Sequence, residues 1–592
     1  RALQVNPEFR SLYDGDARMH ELIDMAKRLE GLPNHTSVHA AGVVIYPGEA
    51  SNYVPLGRAS DGTPTAEYNM VQLEELGLLK MDFLGLRTLT VLKDAVKNVK
   101  ASQGIDIDID HIDLNDKKVL DFIGTGRTEG VFQLESAGMQ NFMKELKPQN
   151  FEDIVAGISL YRPGPMDFIP NYIRGKNNAD TVTYVTPELQ PILEPTYGCI
   201  VYQEQVMQIV QELAGYTMGQ ADNIRRAMSK KKHAVMEAER EHFVHGCTDP
   251  GNECPGCVAN GIDEKAANSI YDSMVDFAKY AFNKSHAAAY AKISVQTAWL
   301  KNYYPVEFMA ALMTSVIDNS AKAAQYLYSC RDMGIKVLPP DINCGQGEFT
   351  AEGDHVRYGM YAIKSLGRPV IDQIIEERES GGRYRTLSDF IERTCQKELI
   401  NKRAIENLIK AGACDSLDGT RKQMAMVYAS IVDRVQHDKK STMAGQMSLF
   451  DLVSDEDRQS FELKYPNVGE YDAEEALAYE KEVLGIYLSG HPLEKYAATL
   501  KKNITANAID FVLEEESGAV KIEDNAHVVI GGMIATKTIK FTKYNQAMAF
   551  ITIEDLTGTV EVIIFPRDYE RYQRYLQDDA KIFVIGHATV ED

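Results

Sequence analysis

Two charged residues, Lys80 and Asp82, interrupt a stretch that is otherwise apolar. The run Leu76–Leu79 before them and the leucine-rich segment after them predict a buried strand. Side chains of a strand alternate between its faces, so Lys80 and Asp82 share one face, while Met81 and Phe83 are expected to pack into a core. A carboxylate beside an ammonium suits a divalent cation and the phosphates it carries. A half-buried ion pair explains the same residues, and spacing alone favours that alternative.

The length and charge of the chain limit what it can be. Its 592 residues are too many for one core and predict about three to five domains. The 63 basic and 86 acidic residues give a net charge of −23, so any phosphate site has to be local and basic. The sequence has no uncharged apolar run of about 18 residues and no signal peptide, and we expect a cytoplasmic protein without a membrane segment. The eight cysteines do not form a secreted disulfide framework.

Several basic residues are candidate phosphate ligands. Arg162 precedes a Pro-Gly-Pro turn, which would fix the angle of its guanidinium, although a structural salt bridge explains it nearly as well. Arg226 and Lys230 share one helical face, with Arg225 adjacent, so their donors can converge on a polyphosphate. A solvated basic face is the alternative. Residues 277–290 combine aromatic, basic and small side chains that suit a helix along a nucleotide, or an ordinary buried helix.

Five motifs follow one another along the chain: KMDFLGLRTLT, GVFQLES, YRPGPM, RRAMSKKK and FAKYAFNKSHAAAYA. In this order they closely resemble the C family of bacterial replicative DNA polymerases, the alpha subunits of DNA polymerase III, over essentially the whole chain. The resemblance implies that Asp82 is a catalytic carboxylate that binds Mg²⁺, and that Lys80, Arg225 and Arg226 contact a deoxynucleoside triphosphate. It also implicates His286 in sugar discrimination. Val38 and Ala137 depart from the family pattern, which weakens any role for residues 37–39 and 137.

The reaction implied by the resemblance is template-directed DNA synthesis in chromosomal replication. Deoxynucleotides would be added to a primer 3′ end by nucleotidyl transfer with two Mg²⁺ ions. The alternatives are a non-catalytic, clamp-tethered DNA-binding scaffold and an error-prone C-family paralogue. The expected partners are primer-template DNA, deoxynucleoside triphosphates, a sliding clamp and other replicase subunits.

Two further aspartates of the family come from an earlier palm strand. The only Asp-x-Asp before Lys80 is Asp14-Gly15-Asp16, in a polar, turn-like stretch. Because the chain also starts without Met and ends in a strand-like run, we expect a fragment that binds DNA but does not polymerise.

A cysteine-rich loop separates two of these motifs. His245, Cys247, Cys254 and Cys257 are the ligand types that zinc prefers, and Cys-Pro-Gly-Cys resembles a zinc-knuckle turn. The spacing is not a standard four-ligand set, so a reduced, solvent-exposed loop is the favoured alternative to a structural Zn²⁺ site.

The C-terminal half carries candidate DNA and protein contacts. Residues 355–420 resemble a tandem helix-hairpin-helix module, in which Lys364 and Gly367 would meet duplex phosphates. A polar linker then exposes a peptide that resembles the family's clamp-binding motif, formed by Gln446, Met447, Ser448, Leu449 and Phe450. Period-two segments from Val528 onward predict an OB barrel. Its first hairpin clusters bases and aromatics that could hold single-stranded template: Lys537, Lys540, Phe541, Lys543 and Tyr544.

The predicted fold class is multidomain α+β. The predicted domains are part of a palm (1–125), mainly α-helical fingers (126–340), the tandem helix-hairpin-helix module (341–435), a linker with the clamp peptide (436–470), a helical connector (471–525) and a truncated OB domain (526–592). Helices are predicted over 1–30, 88–100, 202–228 and 292–333. The core stripe of the last comprises Trp299, Leu300, Tyr303, Phe308, Met309 and Leu312. Gly42, in a short strand, is expected to admit a neighbouring backbone.

Overall fold

The computed structural model describes residues 3, 6–32, 38–39, 41–59, 62–162, 164–229, 233–251, 253–278, 282–395, 400–443, 465–511, 520–542, 544 and 546–589. The chain divides into two compact units, residues 1–86 and 87–592. Each unit has its own elements and is taken by itself below.

The first unit combines short helices with two ribbons. Its elements are α1 (Pro7–Gly15), α2 (Ala17–Leu29), β1 (Gly42–Ile45), β2 (Leu56–Arg58), β3 (Pro64–Ala66), α3 (Met70–Glu75) and β4 (Leu79–Asp82). Strand β1 pairs antiparallel with β4, and β2 with β3. Asp16 breaks the helix predicted over 1–30, because its carboxylate accepts a hydrogen bond from the Arg18 amide and caps α2.

Met81 and Phe83 do not pack into a core, so that prediction is wrong. Met81 is 42% exposed and Phe83 is 65% exposed. Val43 lies opposite Met81 in the register and is exposed as well. The reason is that β4 has only β1 beside it, and a ribbon of two strands does not bury both of its faces.

The second unit is mainly helical. Its helices are α4 (Arg87–Gln103), α5 (Lys117–Ile123), α6 (Ala137–Leu146), α7 (Phe151–Leu160), α8 (Ile169–Asn177), α9 (Gln190–Leu193), α10 (Gln203–Ala214), α11 (Met218–Ser229), α12 (His233–His245), α13 (Glu264–Ala278), α14 (Lys284–Tyr303), α15 (Pro305–Ser315), α16 (Ser320–Asp332), α17 (Arg368–Gly381), α18 (Leu387–Cys395), α19 (Lys402–Lys410), α20 (Arg421–Met443), α21 (Ala473–Leu484), α22 (Ala497–Asn503) and α23 (Pro566–Tyr572). No helix in the described ranges is long and apolar enough to cross a bilayer.

The strands of the second unit form two sheets. They are β5 (Lys336–Leu338), β6 (Thr350–Glu352), β7 (His355–Arg357), β8 (His527–Phe541), β9 (Ala547–Glu554), β10 (Thr559–Ile564) and β11 (Lys581–His587). The small sheet has the order β5-β7-β6, and residues 350–357 were not predicted as strands. The larger sheet has the antiparallel order β10-β9-β8-β11 and encloses the core of the predicted OB domain.

Helix α14 is central to the helical region. Ala287, Ala291, Val295 and Ala298 recur near a four-residue spacing and are fully buried against α5 and α7. Small side chains on one helical face permit this close packing. Asn283 caps the helix, since its side chain accepts a hydrogen bond from the His286 amide at 2.9 Å.

The remaining helical predictions are confirmed with three corrections. The helix predicted over 292–333 is divided into three, because α14 ends at Tyr303, Pro305 begins α15, and α16 begins only at Ser320. The helix predicted over 202–228 is interrupted at Gly215, whose φ of +72° ends α10 in the left-handed region. Tyr303 does not belong to the core stripe; it is 38% exposed and donates a hydrogen bond to Asp116. The predicted class, a multidomain α+β protein, is confirmed.

Candidate nucleotide and DNA sites

Lys80 and Asp82 share one face of β4, as predicted from their spacing. They lie opposite Val44 and Gly42 of β1. The Lys80 ammonium donates a hydrogen bond to Asp82 Oδ1 and lowers the pKa of the Asp82 carboxyl. Since a carboxylate binds cations in its ionised form, the lysine keeps Asp82 in the state that a metal site needs.

Gly42 makes room for these side chains. A Cβ at this position would lie 2.9 Å from both His39 Nδ1 and Lys80 Cε, and 3.1 Å from Asp82 Oδ1. His39 Nδ1 lies 3.9 Å from the same Asp82 oxygen. The atoms nearest to a Cβ at Gly42 belong to the side chains of His39, Lys80 and Asp82, and not to the neighbouring backbone that the sequence predicted.

Asp82 fits a divalent cation as one oxygen ligand. No group of three or more His, Cys, Asp or Glu side chains forms a metal site in the described part of the chain. Asp14 pairs with Arg10 at 3.2 Å, and Asp16 caps α2. Asp14 lies in the last turn of α1 and Asp16 is the N-cap of α2, so the stretch predicted to be turn-like is a junction between two helices.

Arg225 and Arg226 share one acidic partner on α11. Asp222 Oδ1 lies 2.8 Å from Arg225 Nη2, and Asp222 Oδ2 lies 2.8 Å from Arg226 Nε. The two guanidiniums lower the pKa of the Asp222 carboxyl. Arg225 also donates to Gln203 Oε1 at 3.3 Å and is 28% exposed, whereas Arg226 is 65% exposed. Arg226 is thus the more available of the two for a phosphate.

The start of α10 connects these arginines to α14. The Gln203 amide donates to Phe282 O at 2.9 Å. Glu204 accepts from the Asn283 side chain at 2.9 Å and from the Lys284 amide at 3.0 Å. The arginine helix and the helix that carries His286 are therefore joined through two consecutive residues. Sequence analysis missed Asp222, Gln203 and Glu204; only the three-residue spacing of Asp222 from Arg225 was available as a signal.

Arg162, His286 and three aromatic rings form a continuous row. The Arg162 guanidinium lies 4.0 Å from the Phe282 ring centre, and the Phe282 and His286 rings are 5.3 Å apart. The row continues to Tyr290, 4.3 Å from His286, and then to Phe132, 5.1 Å from Tyr290. Three of the five motifs thus meet at the exposed start of α14: GVFQLES, YRPGPM and FAKYAFNKSHAAAYA. Lys230 lies outside the described residues.

The cysteine loop does not bring a zinc site together. Cys247 and Cys254 exchange two backbone hydrogen bonds of 2.9 Å, and all eight cysteines are free. Burial raises the pKa of the Cys254 thiol and raises that of Cys257 to about 12. His245 lies 3.9 Å from Glu241 and from Glu264. No three of these side chains lie together as a ligand group among the described residues. The thiols of Cys247, Cys254 and Cys257 are buried, so the alternative prediction of a solvent-exposed loop is wrong as well.

The first hairpin of the helix-hairpin-helix region is exposed. Lys364 and Gly367 are at the surface, and Gly367 immediately precedes α17. The Lys364 backbone is fixed on both sides, because its amide donates to Val483 O and its carbonyl accepts from Asn407. A rigid loop with an exposed lysine at a helix start suits phosphate contacts.

The second hairpin is covered. The Arg421 guanidinium packs over Gly412 and is held by Asp415 at 2.6 Å and Glu480 at 3.2 Å. Because Glu480 belongs to α21, the helical connector occupies this side of the module. The connector thus contacts the first hairpin at Val483 and the second at Glu480, and Lys364 and Gly367 of the first remain exposed.

The predicted cluster in the OB hairpin is split between two faces of β8. Lys540 lies 4.5 Å from the Phe550 ring centre on one face. Lys537 and Phe541 lie on the other face by strand alternation. The Lys537 ammonium donates to Leu576 O, so it is not available to a template. Tyr544 and Phe541 are well exposed. Lys543 and the clamp peptide, residues 446–450, lie outside the described residues.

Comparison with known proteins identifies the family. Models of the bacterial DNA polymerase III alpha NTPase domain and finger domain match residues 1–85 and 88–251. A helix-hairpin-helix motif matches residues 334–424, and an OB-fold nucleic acid binding domain matches residues 528–592.

Whole-chain comparison gives the same family. DNA polymerase III subunit alpha of Thermus aquaticus is 42% identical over 99% of this chain and 46% of its own length. The Bacillus subtilis and Escherichia coli K12 proteins of that name are 40% and 37% identical, each over 100% of this chain and 50% of their own length. The chain spans about half the length of the curated relatives it matches. It belongs to the bacterial DNA polymerase III alpha family.

Proposed function

We propose that this chain is part of a DNA-directed DNA polymerase of chromosomal replication. The observation that carries the proposal is the shared face of Lys80 and Asp82 at the Gly42 opening, in a chain of this family. The primer 3′ oxygen would form a bond to the α-phosphorus of a deoxynucleoside triphosphate while the bond to the pyrophosphate leaving group breaks.

Asp82 would be one ligand of the catalytic Mg²⁺ ions. When bound, two Mg²⁺ ions neutralise the charge that develops on the reacting phosphate. The ionised Asp82 carboxylate suits this role, and Lys80 supplies a positive charge for the triphosphate from the same strand face. The other carboxylates of the set would belong to the longer polymerase.

The fingers residues would bind and select the nucleotide. Arg226 offers an exposed guanidinium to the triphosphate, and Asp222 holds it at a fixed place on α11. The row from Arg162 to Phe132 offers aromatic surface beside His286, which suits contact with a sugar or base. Lys230 remains part of this proposal on sequence grounds alone.

DNA would be held by the C-terminal half. The exposed first hairpin, with Lys364 and Gly367, would contact duplex phosphates without reading bases. Residues 446–450 would dock on a sliding clamp, with Leu449 and Phe450 as apolar anchors and Gln446 as the polar head. Other replicase subunits are further partners of the longer protein.

The test is Asp82→Asn in the longer polymerase. Loss of a metal-binding carboxylate removes several kcal/mol of transition-state stabilisation, so we expect incorporation to fall by roughly 10³-fold or more. Affinity for primer-template should stay unchanged. The matched control is Asp106→Asn, in an exposed pair with Lys100, which should incorporate normally. Retained incorporation in Asp82→Asn would contradict the proposal.

The 592-residue chain alone should bind primer-template and leave the primer unextended in Mg²⁺. The reason is that Asp14 and Asp16 are engaged at helix ends and no described three-carboxylate group surrounds Asp82. Extension by the isolated chain would show that Asp82 finds its partners within these residues.

A further inference from the structure

Glu204 lies in the first turn of α10, but its carboxylate caps a different helix. Oε1 accepts a hydrogen bond from the Asn283 side chain at 2.9 Å, and the Lys284 amide donates to Oε1 at 3.1 Å and to Oε2 at 3.0 Å. The first amides of a helix have no partner within it and carry the positive end of its dipole, so a carboxylate there is stabilising. The start of α14 is therefore held by its own Asn283 and by Glu204 of α10.

The turn that carries Glu204 is itself fixed. Tyr202, two residues before it, is only 3% exposed and forms a parallel bridge with Phe282. The Tyr202 amide donates to the Gln205 side chain at 3.0 Å, and the Gln203 amide donates to Phe282 O at 2.9 Å. Because its backbone is held in this way, the Glu204 carboxylate has a rigid base from which it orients α14.

The same turn also contacts the helix that carries the two arginines. Arg225 Nη1 donates to Gln203 Oε1 at 3.3 Å, and one carboxylate of α11 holds both Arg225 and Arg226. Direct contacts thus run from the exposed Arg226 guanidinium through Gln203 and Glu204 to the helix of His286. The residues suited to a triphosphate and those suited to a sugar or base are joined through this one turn of α10.

A second carboxylate contacts Lys284 in a different way. The Lys284 ammonium lies 2.9 Å from Glu152 Oε2 of α7, and the two side chains are 40% and 55% exposed. An exposed ion pair of this kind contributes little, and it holds the end of a flexible side chain. Of these two carboxylates, Glu204 is the one that contacts the backbone of α14. Glu152 therefore offers a matched control for the loss of a negative charge beside Lys284.

We propose that Glu204 is a positioning residue for nucleotide selection, which holds the start of α14, with Phe282 and His286, at a fixed distance from the arginines of α11. A deoxynucleotide that contacts both helices binds well only while their separation matches its length. A sugar with an additional hydroxyl is rejected only if the surface it meets does not move aside. The proposal rests on the polymerase function above, because it places the triphosphate at α11 and the sugar at α14.

The experiment compares Glu204→Ala with Glu152→Ala in the longer polymerase, using a deoxynucleotide and the matching ribonucleotide. In Glu204→Ala, KM for the deoxynucleotide should rise about tenfold, the scale of one hydrogen bond to a charged group. Its kcat should change little, since Glu204 contacts none of the reacting atoms. KM for the ribonucleotide should also change little, because it has no favourable contact at α14 to lose. Sugar discrimination therefore falls about tenfold, and Glu152→Ala should keep it.

Inorganic tripolyphosphate separates positioning from general damage to the fingers. As a competitive inhibitor it can contact the arginines of α11, but it has no sugar or base to place against α14. Its inhibition constant should stay unchanged in Glu204→Ala. The conservative variant Glu204→Gln keeps one acceptor oxygen and should recover most of the sugar discrimination. Unchanged discrimination in Glu204→Ala would overturn the proposal, as would an inhibition constant that rises in parallel with KM.

Hydrogen exchange of the 592-residue chain tests the contact without any activity. Glu204→Ala should speed exchange in peptides that span the start of α14, whereas Glu152→Ala should not; equal exchange in the two variants would overturn the proposal. Failure of the polymerase function gives a different result, because Asp82→Asn would then retain incorporation while the exchange difference persists. If Asp82→Asn is inactive and Glu204→Ala discriminates normally, the positioning role alone is wrong.

Discussion

Arg226 lies one helical turn from Asp222, with 2.8 Å between its Nε and the carboxylate oxygen Oδ2, yet it remains 65% exposed. Its neighbour Arg225 is bound by the same carboxylate and by Gln203 of α10. The two consecutive arginines therefore have different surroundings. One carries an accessible charge, and the other joins α11 to α10.

Arg226→Gln should impair nucleotide binding more than folding. A hydrogen bond to a charged group contributes about 1.5–3 kcal/mol, so KM for the triphosphate should rise roughly 10- to 150-fold in the longer polymerase. The matched variant, Arg225→Gln, should also lower the melting temperature, because it releases α11 from Gln203. If the two variants had equal melting temperatures and equal KM values, Arg226 would not be the main nucleotide contact and Arg225 would not be the residue that joins α11 to α10.

Gly42→Ala should disturb the Lys80–Asp82 site. The new Cβ would lie 2.9 Å from Lys80 Cε and from His39 Nδ1, too close for normal contact, so these side chains must move. We expect incorporation by the longer polymerase to fall at least tenfold with DNA affinity unchanged. Gly48→Ala is the control, since its Cβ would be 3.9 Å from the Tyr53 hydroxyl. Full activity in Gly42→Ala would mean that the opening is not needed.

Lys176→Met should be strongly destabilising. Lys176 Nζ lies 2.9 Å from Asp153 Oδ2, and the two side chains are only 4% and 2% exposed. Removing one partner leaves a buried charge unpaired, which costs about 3–5 kcal/mol. Lys100→Met breaks the exposed pair with Asp106 and should cost at most about 1 kcal/mol. Urea unfolding compares the two, and similar losses would contradict the burial argument.

His491 should make the connector sensitive to acid. Burial, with the nearby charges of Arg331 and Lys481, lowers the pKa of His491 to about 4. Its Nδ1 accepts a hydrogen bond from the Leu493 amide at 3.1 Å, so the folded protein holds the neutral ring. A lowered histidine pKa means that the unfolded chain binds the proton more readily. The contribution of the neutral His491 ring to the free energy of unfolding is therefore fully present above about pH 6.5. It is lost as the pH falls toward 4.

The measurement is urea unfolding between pH 7.5 and 4.5. His491→Gln has no proton to gain at this position. Its free energy of unfolding should therefore fall by roughly 3 kcal/mol less than that of the parent over this pH range. His111→Gln, at an exposed position, should follow the parent. Identical pH dependence in His491→Gln and the parent would exclude His491 as the titrating group.

Much of the site could be predicted from the sequence, because its residues occur in motifs that keep their spacing within single elements. The alternation of a strand places Lys80 and Asp82 on one face whatever surrounds the strand. The 3.6-residue period likewise places the buried alanines of α14 on a single face. The periodic patterns were sufficient for most helices, while the family followed from the resemblance of the five motifs.

Contacts between distant elements were decided by packing alone. Met81 is exposed because β4 has a single neighbour, and Lys537 is unavailable because Leu576 happens to end the turn beneath it. Gln203 meets Arg225 across 22 residues of chain, and Phe132 meets Tyr290 across 158. Local periodicity states which way a side chain faces, and it contains no information on the partner that the folded chain brings there. The sequence by itself therefore determined the family and the facing of Lys80 and Asp82, while the tertiary structure decided which charges are held internally and which are left for a ligand.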